Sequence, residues 1–122
     1  MKTILVVDDH CDTNQILCRL IQKLGYRTMS AYTGEGALAT LAVERPDLLI
    51  LDVMMPDMNG PEVLKVVRAN PQTAMIPVVM YSAVADTAFQ QHVIERGANE
   101  YWVKSGFDFS ELKARLAKYL DS

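Results

Sequence analysis

Leu48-Leu49-Ile50-Leu51-Asp52-Val53-Met54-Met55-Pro56 is the stretch on which the fold turns. Its apolar run has no polar residue to soften it and stops on a carboxylate. Ile4-Leu5-Val6-Val7 likewise ends in Asp8-Asp9. Runs of this length and continuity are the pattern of strands covered on both faces, as in parallel sheets. Two such strands side by side deliver carboxylates to the same edge of a sheet. Working outward, Val78-Val79-Met80-Tyr81 ends at Ser82, and Tyr101-Trp102-Val103 ends at Lys104. Thr28 to Ala31 reads as a fifth, weaker strand.

Between the strands the period changes to that of helices. Ile16, Leu17, Leu20, Ile21 and Leu24 recur on one face, and Gly25 follows where a left-handed residue ends a helix, so a helix is predicted from about Asp12 to Leu24. Gly34-Glu35-Gly36-Ala37-Leu38 with Leu41 and Ala42 opens a second, ending before Pro46. A third carries Val63, Leu64 and Val67 and ends near Asn70-Pro71. A fourth bears Phe89, Val93 and Ile94 and stops at Gly97. The last begins with Asp108 as cap, Glu111 three residues on and Phe107 as a staple to Leu112, and buries Leu112, Leu116 and Leu120. Strict strand-helix alternation predicts one doubly wound α/β sandwich, a five-stranded parallel sheet with five helices on both faces, spanning residues 1–122 as one domain. In such sheets ligands bind outside the carboxyl ends of the strands. Those ends carry Asp8, Asp9, Asp52, Ser82 and Lys104.

Composition narrows the function classes. The chain has 122 residues, half of them hydrophobic, with 12 Lys and Arg against 15 Asp and Glu. That balance offers no basic stripe for nucleic acid, so direct nucleic-acid binding is not expected. No apolar stretch approaches the roughly 18 residues of a membrane span, and Met1-Lys2 leads straight into a strand, so a cytoplasmic protein is expected. Cys11 and Cys18 are seven apart on the first helix, with Cα atoms about 10 Å apart, beyond disulfide reach. They read as reduced thiols.

Three carboxylates within about 4 Å of one another repel by roughly 4 kcal/mol per pair at an effective dielectric near 20. A cation among them, or a proton on one, offsets this. Oxygen-only ligands without His or Cys favour a hard ion, and Mg²⁺ is the predicted metal. A carboxylate is also a nucleophile toward phosphorus when a metal and a positive side chain neutralise the transferring oxygens. Lys104 offers the point charge and Ser82 a hydroxyl, so the five residues form a complete set for receiving a phosphoryl group on Asp52. The plain readings are a turn-capping Asp52, Asp8 and Asp9 as caps of the first helix, a helix-capping Ser82 and a solvated Lys104. His10 reads as a helix-entry residue.

With these residues in place the chain resembles the receiver domain of two-component response regulators along its whole length. The resemblance rests on Ile4-Leu5-Val6-Val7-Asp8-Asp9, on Asp52-Val53-Met54-Met55-Pro56-Asp57-Met58-Asn59-Gly60, on Tyr81-Ser82-Ala83, and on Gly97-Ala98-Asn99-Glu100-Tyr101-Trp102-Val103-Lys104. It implies a flavodoxin-like strand order of 2-1-3-4-5. It implies that Asp52 takes phosphate from a histidine of a sensor kinase or phosphotransfer protein, with Asp8, Asp9, Asp52 and the Met54 main-chain carbonyl around Mg²⁺. Ser82 would move toward the phosphoryl group, Lys104 would pair with it, and Tyr101 would turn inward. The last two helices and last strand would then change partners, making this a signalling phosphoacceptor that catalyses only its own phosphorylation and dephosphorylation, acting on a downstream protein.

Three departures qualify the resemblance. Most receivers have a proline after the lysine, joined by a cis bond, whereas Ser105-Gly106 follows Lys104. Trp102 stands at a usually aliphatic position and implies local repacking. Met54 and Val84, two residues past Asp52 and Ser82, are apolar and cannot orient a hydrolytic water, so slow loss of phosphate is expected. Two rivals come from other classes. Haloacid-dehalogenase-like phosphatases want an aspartate where Met54 stands. A pseudo-receiver would keep the fold as a phosphate-independent interaction module.

Overall fold

The computed structural model describes residues 1–106 and 108–120. The chain alternates β1 (Thr3–Val7), α1 (Cys11–Lys23), β2 (Arg27–Ala31), α2 (Gly34–Val43), β3 (Leu48–Leu51), α3 (Gly60–Ala69), β4 (Val78–Ser82), α4 (Thr87–Glu95), β5 (Glu100–Val103) and α5 (Leu112–Leu120). All strand pairs are parallel, in the order β2-β1-β3-β4-β5. The predicted five-stranded sandwich is the observed one. Winding leaves β1 toward β2 on one side and toward β3 on the other, so the crevice lies above β1 and β3.

Alternation along the strands sorts the core into two layers. Leu5, Val7, Leu49, Leu51, Val78 and Met80 face α2, α3 and α4, where Ala37, Leu41, Val63, Leu64, Val67 and Val93 meet them. Ile4, Val6, Leu48, Ile50, Val79 and Trp102 face α1 and α5, against Leu17, Ile21, Leu112, Leu116 and Leu120. Every residue of β1, β3 and β4 is buried, which is why these strands read as unbroken apolar runs. β2 is an edge strand with only Ala31 buried, and its sequence signal is correspondingly weak.

Some local expectations need correction. Ile16 does not share the buried face of α1: it is 55% exposed, and Asn14 occupies the buried position instead. The regular helix α5 starts at Leu112, after a 3₁₀ turn over Phe109–Glu111. Asp108 does cap this entry, accepting from the Ser110 N–H at 2.9 Å, but Glu111 pairs with Arg115 at 3.2 Å instead of reaching back to the cap. The staple expected from Phe107 lies outside the described residues. Trp102 is buried against α5, and the Arg115 guanidinium lies 5.6 Å from its ring centroid, so the repacking implied by its size is taken up by that helix.

Candidate functional site

Parallel register sets the positions of the carboxylates. Val7 pairs with Leu51, so Asp8 and Asp52 emerge side by side, and the Asp52 N–H donates to the Val7 carbonyl at 2.9 Å. Asp8 is tied on its other side, its N–H reaching the Ala31 carbonyl at 3.1 Å. Ser82 pairs with Val103, which places Lys104 one residue beyond the hydroxyl. The loop from Pro56 to Asn59 folds over this edge and requires Gly60. A Cβ there would stand 2.3 Å from the Asp52 carbonyl oxygen. α3 then starts cleanly because Asn59 and Glu62 form a reciprocal capping box.

The Lys104 ammonium bridges the pocket, 3.0 Å from Asp8 Oδ2 and 3.3 Å from Asp52 Oδ2. Asp8 and Asp52 are both buried. Burial raises the Asp52 pKa, the Lys104 charge pulls it down and the Asp8 charge pushes it up, and the net is above the ordinary value of 3.8. For Lys104, partial burial disfavours the charged form, but the hydrogen bond to Asp8 and the charges of Asp52 and Asp8 outweigh it and hold the pKa above 10.5. The pocket therefore holds more negative charge than its single lysine neutralises.

Asp9 makes the same point through hydrogen bonding. Its Oδ1 is buried with no hydrogen-bond donor. His10 Nδ1 lies 3.3 Å from that oxygen and 3.3 Å from Asp8 Oδ1. Asp8, Asp9, His10 and Asp52 each offer a ligand atom, and these atoms all lie within 4.8 Å of one another. An orphaned carboxylate oxygen in a mainly oxygen donor set fits a hard divalent cation. The plain readings hold in part: Asp52 does cap its turn, accepting from the Met54 N–H at 3.3 Å. His10 is the helix-entry residue it was read as, in the N-cap position of α1, so neither Asp8 nor Asp9 caps that helix. α4 is capped by Asp86, which accepts from Phe89 N–H, and not by Ser82. Ser82 Oγ instead accepts from the Val84 N–H at 3.3 Å.

The remaining candidates lie nearby. The Met54 N–H donates to Asp52 Oδ1 at 3.3 Å, and the Met54 side chain is 63% exposed at the pocket rim. The Tyr101 hydroxyl donates to the Val84 carbonyl at 2.7 Å, and its ring meets Phe89 edge-on at 6.3 Å. Burial raises the Tyr101 pKa, a hydrogen bond with Ser82 opposes this, and the Asp52 charge adds to it. Lys104 begins a 3₁₀ turn through Gly106, with no cis peptide bond among the described residues.

Sequence reasoning passed over Asn14. Its fully buried amide nitrogen lies 3.3 Å from the Val6 carbonyl, 3.2 Å from that of Asp8 and 3.1 Å from that of Ala31, tying the ends of β1 and β2 to α1. The available signal was an asparagine on the buried face of a helix, where it lacks the propensity to be there for the helix's sake.

Fold and pocket together define a flavodoxin-like α/β protein with a carboxylate cluster where the winding reverses. The comparisons with known proteins narrow this class. The family described as the response regulator receiver domain matches residues 4–117. Among curated relatives, a probable transcriptional regulator, ycf27, of Cyanophora paradoxa is 39% identical over 98% of this chain and 48% of its own length. The alkaline phosphatase synthesis transcriptional regulatory protein PhoP of Bacillus subtilis is 37% identical over 98% of this chain and 48% of its own. The chain thus spans about half the length of these relatives. Among solved structures, the chemotaxis protein CheY4 of Vibrio cholerae is 32% identical with a TM-score of 0.90, covering 98% of this chain and 99% of that one. A putative response regulator from Chloroflexus aurantiacus is 34% identical with a TM-score of 0.91, covering 99% and 98%. This chain belongs to the response regulator receiver domain family, the signalling module of two-component systems. No helix among the described residues is long and apolar enough to cross a membrane.

Proposed function

We propose that residues 1–122 act as one cytoplasmic receiver that takes a phosphoryl group onto Asp52 from the phosphohistidine of a sensor kinase or phosphotransfer protein. An Asp52 carboxylate oxygen attacks phosphorus, the phosphorus-nitrogen bond to the donor histidine breaks, and the imidazole leaves. Asp8, Asp9, Asp52 and the Met54 carbonyl are the ligand set for Mg²⁺, which when bound neutralises charge on the transferring oxygens. Lys104 already lies against Asp52 and moves its charge onto the phosphoryl oxygens. Ser82 donates its hydroxyl to one of them. The observation that carries this reading is the Lys104 ammonium held between two buried carboxylates beside an orphaned Asp9 oxygen.

Switching follows from the same contacts. Once Ser82 turns toward the phosphoryl group, it gives up Val84 N–H and Tyr101, and the Tyr101 ring has room to move inward from Phe89. The face built by α4, β5 and α5 then presents a different surface to a downstream protein; protein, and not nucleic acid, is the partner of this face. The added charge, about −2, biases a two-state equilibrium.

Incubation with a small phosphodonor such as acetyl phosphate and Mg²⁺, read by intact mass, tests the assignment. The wild type gains one phosphoryl group and Asp52→Asn gains none. No gain in the wild type, or an equal gain in the variant, supports the phosphate-independent interaction module instead. Phosphate is lost slowly because Met54 and Val84 orient no water. Met54→Asn is expected to speed the loss at least about tenfold, measured as decay of the phosphorylated mass after donor removal.

A further inference from the structure

Away from the acidic pocket the sign of the surface reverses. A cavity of about 310 Å³ lies between α3 and α4, lined by Pro61, Lys65, Arg68, His92, Val93 and Arg96. That is the small end of the range for clefts that hold small molecules, roughly 300–1,000 Å³. Three of the 12 Lys and Arg of an acidic chain converge here, with a histidine and no carboxylate in the lining. Among the described residues, none of the ion pairs involves Lys65, Arg68, His92 or Arg96. Two carboxylates on these helices are held elsewhere. Glu62 closes the capping box of α3, and Glu95 accepts from Gln91 Nε2 at 3.4 Å.

Arg68 is the fixed part of the groove. Its Nε and Nη2 donate to the Gly97 carbonyl, its Nη1 to those of Ala74 and Ile76, and its Nη2 also to Asn99 Oδ1. All these acceptors are neutral, so its donors are used while its charge remains. Burial lowers its pKa from the ordinary arginine value, the sign of a cation without a counter-charge. Gly97 makes the approach possible, with φ at +117° and an ideal Cβ only 3.0 Å from the Arg68 side chain. Helix dipoles account for cations in the last turns of α3 and α4. They do not account for Lys65, in the middle of α3, or for the cavity.

We propose that this groove binds a small molecule carrying a diphosphate group, either a nucleotide or free pyrophosphate. Several cations around so small a space call for an anion that packs more than one charge into a few ångströms. The Arg96 fork and the Lys65 ammonium suit phosphate oxygens, with Arg68 supplying a fixed field. Pro61 offers a less polar wall for a nucleoside. The site is distinct from Asp52 and does not depend on the phosphoacceptor reading.

Titration of the isotope-labelled protein with ADP, pyrophosphate, adenosine and citrate, in EDTA at physiological salt, tests this by amide chemical shifts. The expected result is saturable shifts on α3 and α4 with ADP or pyrophosphate and none with adenosine. Lys65→Glu and Arg96→Glu should each weaken binding about tenfold or more, the size of loss expected when a charge-assisted contact turns repulsive. Both variants should keep the dispersed amide spectrum of the wild type outside α3 and α4, showing that they fold. Tighter binding of ADP than of pyrophosphate identifies a nucleotide, and equal binding identifies the inorganic ion. Citrate binding as well as pyrophosphate, non-saturating shifts, shifts confined to the Asp52 pocket, or unchanged affinity in both variants would overturn the proposal.

Discussion

Asp52 and Arg68 stand at opposite ends of the same sheet, each with its charged group set into the protein, and they are treated in opposite ways. Arg68 meets neutral carbonyl and amide oxygens that occupy its donors and join α3, the segment before β4 and the turn before β5. Asp52 sits with a like charge on Asp8, one shared lysine, and an Asp9 neighbour whose buried oxygen lacks a donor. The first arrangement is finished in its hydrogen bonds, although its charge meets no counter-charge. The second is left short of positive charge, and that shortage suits it to the cation and phosphoryl group proposed for it. Within one domain, two charged sites thus differ in how completely their hydrogen-bonding atoms are matched.

The largest expected effect falls at the finished end. Arg68→Ala orphans the carbonyls of Gly97, Ala74 and Ile76, and should lower stability by about 3 kcal/mol in urea unfolding at neutral pH. A loss below about 1 kcal/mol would mean that water replaces the guanidinium freely at these carbonyls. Asn14→Ala should come next, at about 2 kcal/mol by the same measurement, because three carbonyls at the ends of β1 and β2 lose a fully buried partner.

At the unfinished end the sign turns. The pKa of Asp52 is raised on folding, so its ionisation opposes the folded state: the penalty is absent below the unfolded value near 3.8 and develops as pH rises through the folded pKa. Asp52→Asn should therefore be more stable than the wild type at pH 7, by about 1 kcal/mol, the usual size of a single-substitution effect. The gain should fade as pH is lowered through the folded pKa toward 3.8. Equal stability of the two proteins across that window would show that ionising Asp52 costs the folded state nothing. Mg²⁺ should raise the melting temperature of the wild type more than that of Asp52→Asn. The smallest effect is expected for Tyr101→Phe, which gives up part-buried hydrogen bonds to the Val84 carbonyl and to Ser82 and should cost about 0.5 kcal/mol in urea.

The two ends also differ in how visible they are in sequence. The carboxyl edge was legible because each candidate site residue interrupts an apolar run, and parallel register converts those interruptions into one cluster. The sheet itself was legible for the same reason: β1, β3 and β4 are buried along their whole length and leave no ambiguity of period. Ile16 was misread because helical spacing alone does not distinguish the centre of an apolar stripe from its margin. Asn14 was missed because its value lies in three carbonyls from two other segments, the ends of β1 and β2, and Arg68 because a cation in the last turn of an amphipathic helix looks the same in sequence whether it meets water or backbone. Interruption of a pattern is local information. Satisfaction of a partner is tertiary.

One consequence of β5 concerns how motion in this protein can be watched. Tyr101 and Trp102 are neighbours in sequence, so the pleat turns one ring toward α4 and the other toward α5. The chain has a single tryptophan. Its emission therefore monitors the layer that Tyr101 does not touch, and a change in that emission when Asp52 is loaded would signal that a rearrangement begun on one side of the sheet has been carried through to the other.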